Sequence, residues 1–518
     1  MIMKLGKRSM SRNMVTSLIS QVVTLVAGLV VQRYILLAYG STYNGLTSLV
    51  TQIMSYLVLL EAGLGAASTQ ALYKPLGEGD WKRASEIMSA TAVSYRNVGW
   101  MFSGLLLGGS LIVPLIAQGE VEFALAAFLT LLTGGSHVFT YMISGKYAAF
   151  LTADRKTYVR YLSTIVTTLL SAVLRVLALS GGCGILFVQS ISLACALING
   201  LIVTLYVRRR YPRLDRRAKP DFGSIGKRWN VLVHQIAGLV VNHTDILILS
   251  IVDTLKQVSV YSAYNMIYSH LGTVVQSTFM QAPQGDFGQL YNKDKKAFEK
   301  LYASYETMLT VLLFVISTLA LLLTLPFIRL YTAGVTDVQY VDVWLPVLFV
   351  AVFLMNQVRG PAIITVNASG AFRETQWGAI MEAIINIVVS LALFFFTDLG
   401  MKGLLLGTVA SYLFRTTDVI TYVYRHLLER SVWRFLRLIV ANLAALGTLA
   451  AVFYVWRPVE AASYLSWFIW AVVMGVITVV TYGAFNLLIN FRDTKEMLAG
   501  LIHKFRRGRK TARKEETE

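Results

Sequence analysis

Long apolar stretches alternate with short polar turns along the whole of this 518-residue chain. About 20 consecutive apolar residues are enough to cross the hydrocarbon core of a bilayer as a helix. The pattern predicts fourteen such spans, at 13–38, 44–72, 89–117, 122–150, 157–179, 184–207, 229–251, 260–283, 303–330, 341–367, 376–397, 402–424, 434–456 and 464–490. We therefore expect an all-α polytopic membrane protein.

Two segments about 210 residues apart indicate an internal duplication. ASTQALYKPLGEGDWKRASEIMSATAVSYRNVG (67–99) aligns with QSTFMQAPQGDFGQLYNKDKKAFEKLYASYETML (276–309), each passing from a proline through a Gly/Asp turn to a charged segment. The offset equals six spans, so the repeats are expected to be parallel, which favours alternating access between two bundles. The predicted regions are an N-terminal six-helix lobe (1–207), a basic linker (208–228), a C-terminal six-helix lobe (229–430), helices 13 and 14 (431–490) and a basic tail (491–518).

The distribution of basic residues predicts the orientation. The linker and the tail each carry nine Lys or Arg residues. On the side of the membrane opposite to the linker and the tail, the predicted loops and span ends carry four basic residues: Lys256, Arg329, Lys402 and Arg457. Cytoplasmic loops of membrane proteins are enriched in Lys and Arg. An even number of spans places both termini on one side of the membrane, and the excess of Lys and Arg there predicts that this side is the cytoplasm.

Composition agrees with a membrane protein and argues against other classes. The chain is 56% hydrophobic and 14% charged, whereas soluble domains carry about 25% charged residues. The net charge of +19 lies mostly in loops, so we expect no nucleic-acid partner. Cys183 and Cys195 are about 18 Å apart on one predicted helix, too far for a disulfide. We find no nucleotide-binding motif or catalytic triad, and expect neither enzymatic activity nor a metal or other cofactor.

Basic and polar side chains inside the spans are the candidates for substrate binding. A charged group at the centre of a span costs about 2.5–3.5 kcal/mol, so it tends to face a partner or a cavity. These candidates are Arg33, Arg96, Arg359, Arg415, Asn265 and Tyr268. Guanidinium groups bind phosphate bidentately, so the set favours an anionic headgroup. Arg33 is shallower, and Lys146 and Arg175 are close enough to span ends to reach the interface.

Four acids in the spans are candidates for ion coupling or for structural pairing. They are Glu61, Asp245, Glu382 and Asp418. Arg415 and Asp418 are spaced i, i+3 and can pair on one helix face. Glu61, Gly65 and Ser68 would form a narrow stripe on one continuous helix. Glu61 either drives transport, with H⁺ or Na⁺ as the coupling ion, or fixes a neighbouring arginine.

Several segments resemble bacterial polysaccharide flippases. YGSTYNGLTSLV (39–50), EAGLGAAS (61–68) and LYKPL (72–76) are similar to the opening pattern of the Wzx-like, polysaccharide-transport branch of the MOP (multidrug/oligosaccharidyl-lipid/polysaccharide) exporter superfamily. NHTDILILS (242–250) and KGLLLGTVASYLFR (402–415) are further similarities. The chain is thereby identified as a suspected Wzx-like flippase.

The resemblance implies a fold and an activity. It implies two MATE-like six-helix bundles and a partly cationic cavity. It also implies flipping of undecaprenyl-diphosphate-linked oligosaccharide to the outer leaflet, with membrane lipids and polysaccharide biosynthesis machinery as partners. Three alternatives stay open at this point: a lipid II flippase, a cation-coupled multidrug exporter of the same superfamily, and a membrane-bound glycan polymerase.

Overall fold

The computed structural model describes residues 2–61, 63–215, 217–225, 244–280, 284–456 and 462–489. Within these ranges the chain is helical between turns and contains no strand. Among the described residues, ten helices are long and apolar enough to cross a membrane. The prediction of an all-α polytopic membrane protein is therefore confirmed.

Most predicted spans correspond to helices, but the spans 44–72, 122–150 and 341–367 are each divided. The first eight helices are α1 (Ile2–Leu57), α2 (Leu64–Glu78), α3 (Trp81–Ile116), α4 (Phe123–Phe139), α5 (Gly145–Ala153), α6 (Thr157–Ser180), α7 (Ile185–Arg210) and α8, whose described part is 244–252. The others are α9 (Leu255–Val275), α10 (Gln284–Lys293), α11 (Lys295–Tyr331), α12 (Trp344–Val358), α13 (Gly360–Ser369), α14 (Phe372–Phe396), α15 (Met401–Tyr422), α16 (Trp433–Trp456) and α17 (Tyr464–Ile489).

The first helix, α1, provides two crossings rather than one. Its 56 residues correspond to about 84 Å at 1.5 Å per residue, more than twice the apolar thickness of a bilayer. Gly40 divides it with φ of 79°, a backbone conformation that glycine adopts without steric cost. The kink lies between residue 38, where span 1 is predicted to end, and residue 44, where span 2 is predicted to begin.

The predicted span 44–72 is wrong as one continuous helix. The α-helix ends at Leu57, a 3₁₀ turn covers Val58–Glu61, and α2 starts at Leu64 after Gly63, whose φ is 76°. This left-handed glycine redirects the chain. The next helix, α2, then continues through Pro75 to Glu78, beyond the end predicted at residue 72.

Two compact units account for most contacts in the chain. Unit 1 comprises residues 1–262 and 334–339, and unit 2 comprises 263–333 and 340–518. Unit 1 has a core of buried side chains that includes Leu46, Phe102 and Phe150. The lobes predicted at 1–207 and 229–430 stay a prediction, and residues 229–243 lie outside the described ranges.

Small residues bring α14 and α15 of unit 2 into close contact. A Cβ at Gly407 would lie 2.5 Å from the backbone nitrogen of Ser390, and one at Gly403 would lie 3.0 Å from the carbonyl carbon of Leu393. Small residues at helix interfaces allow such close approach in membranes. The pair α14–α15 thereby forms a fixed frame for the charged residues on these two helices.

The C-terminal helices α16 and α17 pack against α11 of unit 2. Tyr482 and Thr318 share a hydroxyl hydrogen bond of 2.7 Å, and Trp467 Nε1 donates to the Leu323 carbonyl at 3.0 Å. Asn442 and Asn486 join α16 to α17, with the Asn486 Nδ2 donating to Asn442 Oδ1 at 3.0 Å. The helices α16 and α17, which correspond to the predicted spans 13 and 14, are therefore an integral part of unit 2.

Candidate functional site

The candidate site in unit 2 is centred on Glu382 of α14. Arg359 lies at the junction of α12 and α13, and its Nη1 donates to Glu382 Oε1 at 2.6 Å. The other amino group, Nη2, donates to Asn356 Oδ1 at 2.9 Å, and the guanidinium lies 4.9 Å from the centroid of the Tyr412 ring. Only 12% of the Arg359 side chain is exposed, so these protein groups replace most of its hydration.

Arg415 of α15 extends this network in the other direction. Its Nε lies 3.7 Å from Glu382 Oε2, and its Nη1 donates to Asp418 Oδ2 at 2.6 Å. The absence of a side chain at Gly378 provides the space, because a Cβ there would lie 1.9 Å from Asp418 Oδ2. The i, i+3 pairing expected from the sequence is therefore present.

The network has two positive and two negative groups, and it is asymmetric in burial. The side chains of Arg415 and Glu382 are 7% and 9% exposed, whereas that of Asp418 is 38% exposed. A buried ion pair is stable only when its remaining hydrogen-bonding groups are satisfied. An incoming anion would therefore have to compete with Glu382 or Asp418 for the guanidinium groups.

Two buried amide oxygens lie close to these charges in the sequence. Gln357 is two residues before Arg359, and Asn386 is four residues after Glu382. Asn386 donates to Thr408 Oγ1 at 3.0 Å, but its Oδ1 has no hydrogen-bond partner. The Oε1 of Gln357 is also buried without a partner. Buried polar atoms are normally hydrogen-bonded. Coupling of this region to H⁺ or Na⁺ stays a prediction, and the described residues contain no cluster of three or more metal-ligating side chains.

In unit 1, Glu61 is enclosed by tyrosines. The Tyr95 hydroxyl donates to Glu61 Oε1 at 2.5 Å, and the Tyr141 ring lies beside Tyr95, with 6.4 Å between the two ring centroids. Tyr141 lies in a π-helical turn, Thr140–Ser144, a feature frequent at functional sites. A Cβ at Gly145 would lie 2.6 Å from the Tyr95 ring, so that glycine makes room for the tyrosine.

The stripe expected from Glu61, Gly65 and Ser68 on one continuous helix is wrong. Glu61 belongs to the 3₁₀ turn, whereas Gly65 and Ser68 belong to α2. The left-handed Gly63 separates the two elements, so helical spacing does not apply across it. Arg160 adds a longer-range electrostatic attraction to Glu61, but the direct hydrogen-bond partner is Tyr95.

Asp245 also lies in unit 1 and is almost completely buried. Its Oδ2 accepts a hydrogen bond from the Tyr261 hydroxyl at 2.9 Å, and 6% of the residue is exposed. The neighbouring Thr244 shares a hydrogen bond of 3.1 Å with Tyr56. The contacts tie α8 to α9 and α1. A coupling role for Asp245 stays a prediction.

The other predicted binding residues have varied surroundings. In unit 1, Arg33 is half-buried on α1, and Arg96 is exposed on α3. In unit 2, Asn265 accepts from the Ser269 hydroxyl at 3.1 Å. Tyr268 is buried, shares a 3.0 Å hydrogen bond with Thr324 and stacks on Phe349. Substrate contact through any of them stays a prediction, and the Tyr268 hydroxyl already has a protein partner.

Sequence reasoning missed Glu306, which is 2% exposed in unit 2. Its Oε1 accepts from Tyr302 at 3.0 Å, and its Oε2 accepts from Tyr424 at 2.5 Å. The i, i+4 spacing of Tyr302 and Glu306 was a local signal for this pairing. Tyr424 comes from the end of a different helix and carried no such signal.

The comparisons with known proteins identify the fold. The chain matches no protein-family model and no curated protein. It is similar to the solved structure of the lipid II flippase MurJ in an inward closed conformation, with 13% identity, a TM-score of 0.65, and coverage of 93% of this chain and 99% of that one. An inward-facing multidrug resistance MATE family transporter of the MOP superfamily is similar with 13% identity, a TM-score of 0.63, and coverage of 82% and 96%.

A third solved structure is a MOP superfamily transporter from Pyrococcus furiosus, for which a reverse polarity of the binding pocket suggests a different function. It has 13% identity, a TM-score of 0.58, and coverage of 82% of this chain and 97% of that one. At these identities the likeness establishes the fold alone. The chain therefore has the MATE-like fold of MOP-superfamily transporters.

Proposed function

We propose that this protein is a flippase that moves undecaprenyl-diphosphate-linked oligosaccharide from the inner to the outer leaflet of the bacterial plasma membrane. The activity serves cell-surface polysaccharide biosynthesis and proceeds by alternating access. No covalent bond is made or broken, so the protein acts as a transporter and not as an enzyme. Membrane lipids and the polysaccharide biosynthesis machinery are its partners, and both termini lie in the cytoplasm.

The observation that carries this proposal is the extent of the likeness to the lipid II flippase. That similarity takes in 93% of this chain, compared with 82–86% for the MATE transporters. The larger of these differences is about the size of the pair α16–α17, which packs against α11 through Tyr482 and Trp467. In length, the lipid II flippase therefore matches this chain better than the MATE transporter does. The sequence segments 39–50, 61–68 and 72–76 favour the polysaccharide branch.

The charged network in unit 2 supplies the chemistry for a diphosphate. Each guanidinium has a planar fork that matches phosphate oxygens. Glu382 is shared by Arg359 and Arg415, so a diphosphate can exchange for one carboxylate without leaving either arginine unpaired. Asp418, the more exposed acid, is the group that we expect to give way first. Binding then replaces one set of ion pairs by another.

Glu61 and Asp245 are the proposed coupling acids. Each accepts a hydrogen bond from a tyrosine hydroxyl, Tyr95 and Tyr261 respectively. A tyrosine can stabilise the carboxylate and can equally remain near the protonated acid, since its hydroxyl both donates and accepts. Uptake of H⁺ or Na⁺ at these acids would bias the transport cycle.

Reconstitution tests the proposal directly. The purified protein is placed in proteoliposomes with a fluorescent undecaprenyl-diphosphate-linked oligosaccharide, and the outward-facing fraction is measured with a membrane-impermeant quencher. We expect protein-dependent translocation that falls in the double variant R359A/R415A. Tyr73, which is exposed on α2, provides the control variant Y73F. If the protein translocates no lipid-linked glycan in this assay, the proposal is contradicted.

A lipid II flippase is the second candidate, favoured by the MurJ likeness. It is distinguished by offering lipid II and the undecaprenyl-linked oligosaccharide in the same assay. A faster rate with lipid II would favour peptidoglycan synthesis. Proton- or sodium-driven efflux of small organic cations, with neither lipid moved, would favour the multidrug exporter.

A further inference from the structure

Arg175 of α6 faces the interior of unit 1. The buried side of α6 includes Ser163, Thr167 and Leu179, at 4%, 4% and 6% exposure, whereas Val166 and Leu177 are 58% and 63% exposed on the other side. Arg175 is three turns beyond Ser163 and continues the buried side. Its Nε is buried without any hydrogen-bond partner. The sequence left open whether Arg175 reaches the interface, and the structure places the Nε end of its guanidinium inside the protein.

The protein satisfies little of the hydrogen-bonding capacity of this guanidinium. Among the described residues its one hydrogen bond runs from Nη2 to Gln189 Oε1 at 3.5 Å, the upper limit for a hydrogen bond. Gln189 is oriented by a second contact, because its Nε2 donates to Thr133 Oγ1 at 3.0 Å. Helices α6, α7 and α4 each contribute one of these three residues. Four of the five N–H groups of Arg175 have no partner among the described residues.

No carboxylate compensates the charge. Within the described ranges, no ion pair includes Arg175, in contrast to Arg359 and Arg415 of unit 2, which pair with Glu382 and Asp418. A partly desolvated guanidinium without an anion is unfavourable in a membrane protein, and such residues are typically functional. The residue as a whole is half-buried, so part of its edge remains accessible to a ligand.

We propose that Arg175, Gln189 and Thr133 form an oxyanion-binding site inside unit 1 that takes a phosphate or carboxylate group of the transported headgroup. The guanidinium supplies two parallel donors, the geometry that matches an oxyanion. Thr133 and Gln189 fix the orientation of that fork. The assignment to a transported headgroup rests on the function proposed above, whereas oxyanion binding itself does not. A phospholipid phosphate is the other source of the same chemistry.

Thermal unfolding of the purified full-length protein tests the site. The melting temperature is measured in detergent with sodium pyrophosphate, with sodium glucuronate, and with sodium chloride at equal ionic strength. Variants are R175Q, R175K and the control R208Q, which removes one exposed positive charge at the end of α7. Parallel samples in nanodiscs of phosphatidylcholine, with or without phosphatidylglycerol, test the lipid source.

We expect pyrophosphate or glucuronate to raise the melting temperature of the wild type and of R208Q more than that of R175Q, which keeps only the Arg359–Arg415 network of unit 2. Without the oxyanions, R175Q should melt at the same or a higher temperature than the wild type, because an uncompensated charge has been removed. R175K should retain a response with about a tenfold weaker apparent affinity. If R175Q does not fold, the weakened response of R175K decides the matter.

Three results would overturn the proposal. The first is no specific oxyanion effect on the wild type, and the second is an equal effect on R175Q. The third is a response that depends on Arg175 with phosphatidylglycerol alone, which would assign the site to a membrane lipid. A protein that binds both soluble oxyanions through Arg175 but moves no undecaprenyl-linked glycan would refute the proposed function and leave the oxyanion site in place.

Discussion

Arg359 and Glu382 form a buried ion pair, with 2.6 Å between Nη1 and Oε1. The same carboxylate lies 3.7 Å from Arg415, so one acid serves two buried cations. Removing it leaves both guanidinium groups without their shared partner. Glu382 is thus the residue on which the stability of the network depends most.

The variant E382A is expected to lower the free energy of unfolding by about 3–5 kcal/mol, because it breaks a buried ion pair on one side. Asp418 is 38% exposed, so water can replace it, and D418N is expected to cost about 0–1 kcal/mol. Chemical unfolding in detergent, followed by tryptophan fluorescence, measures both. Equal effects of the two substitutions would contradict the asymmetric network.

Gly378 is predicted to be sensitive to substitution, because a side chain there meets the Arg415–Asp418 ion pair. A Cβ at this position would lie 2.3 Å from Arg415 Nη1 and 1.9 Å from Asp418 Oδ2, so G378A must displace the ion pair. Gly447 on α16 is a matched control, since a Cβ there meets nothing within 4 Å. We expect G378A to lower the melting temperature and G447A to leave it unchanged or raise it, as Ala favours a helix over Gly by about 1 kcal/mol.

Tyr95 and Glu61 are predicted to act as one unit. Y95F removes the hydroxyl that donates to Glu61 at 2.5 Å, and we expect it to reduce stability by about 1.5–3 kcal/mol, as for hydrogen bonds to charged groups. The double variant E61Q/Y95F should lose less than the sum of the single variants. Transport measured over a pH series then separates coupling from structure. An unchanged pH profile in E61Q would make Glu61 a structural residue.

Asp337 is predicted to make unit 1 sensitive to acid. Its carboxylate accepts from the Ser41 backbone at 2.8 Å and from the Ser41 hydroxyl at 2.7 Å, beside the kink at Gly40. Burial acts to raise the pKa of Asp337, but the hydrogen bonds from Ser41 outweigh it, and the pKa lies below the usual value. The ionised group therefore contributes stability above its unfolded pKa of about 3.9, and this contribution is lost as the pH falls through the lower folded value.

The corresponding measurement is the melting temperature from about pH 5 down to about pH 2, because the contribution of Asp337 changes only between its unfolded pKa and the lower folded value. We expect the wild type to lose stability toward the acid end, and D337N to be less stable at about pH 5 with a flatter profile. Asp398 is exposed in the loop between α14 and α15, so D398N serves as the control. A wild-type slope retained in D337N would assign the acid sensitivity to other carboxyl groups.

The fold class was predictable because apolar run length alone decides which segments can cross a bilayer. Pairings within one helix were also predictable, because they depend on sequence spacing alone. Arg415 and Asp418 are one helical turn apart, and that spacing brings their side chains together in any intact helix. The break at Glu61 was not predictable from periodicity, because it depends on the left-handed conformation of Gly63, which apolar patterning does not reveal.

The sequence by itself determined the membrane-spanning character of the chain, the charge of its loops and the identity of the polar groups within its spans. Only the tertiary structure decided which of those groups meet. Arg359 and Glu382 are 23 residues apart, and Tyr95 and Glu61 are 34 apart, so their contacts depend on how helices pack. Packing likewise leaves Arg175 without an acid while it pairs Arg359 and Arg415. The physical reason is that hydropathy specifies which side of a helix is buried, whereas partner choice requires the close approach of helices distant in sequence.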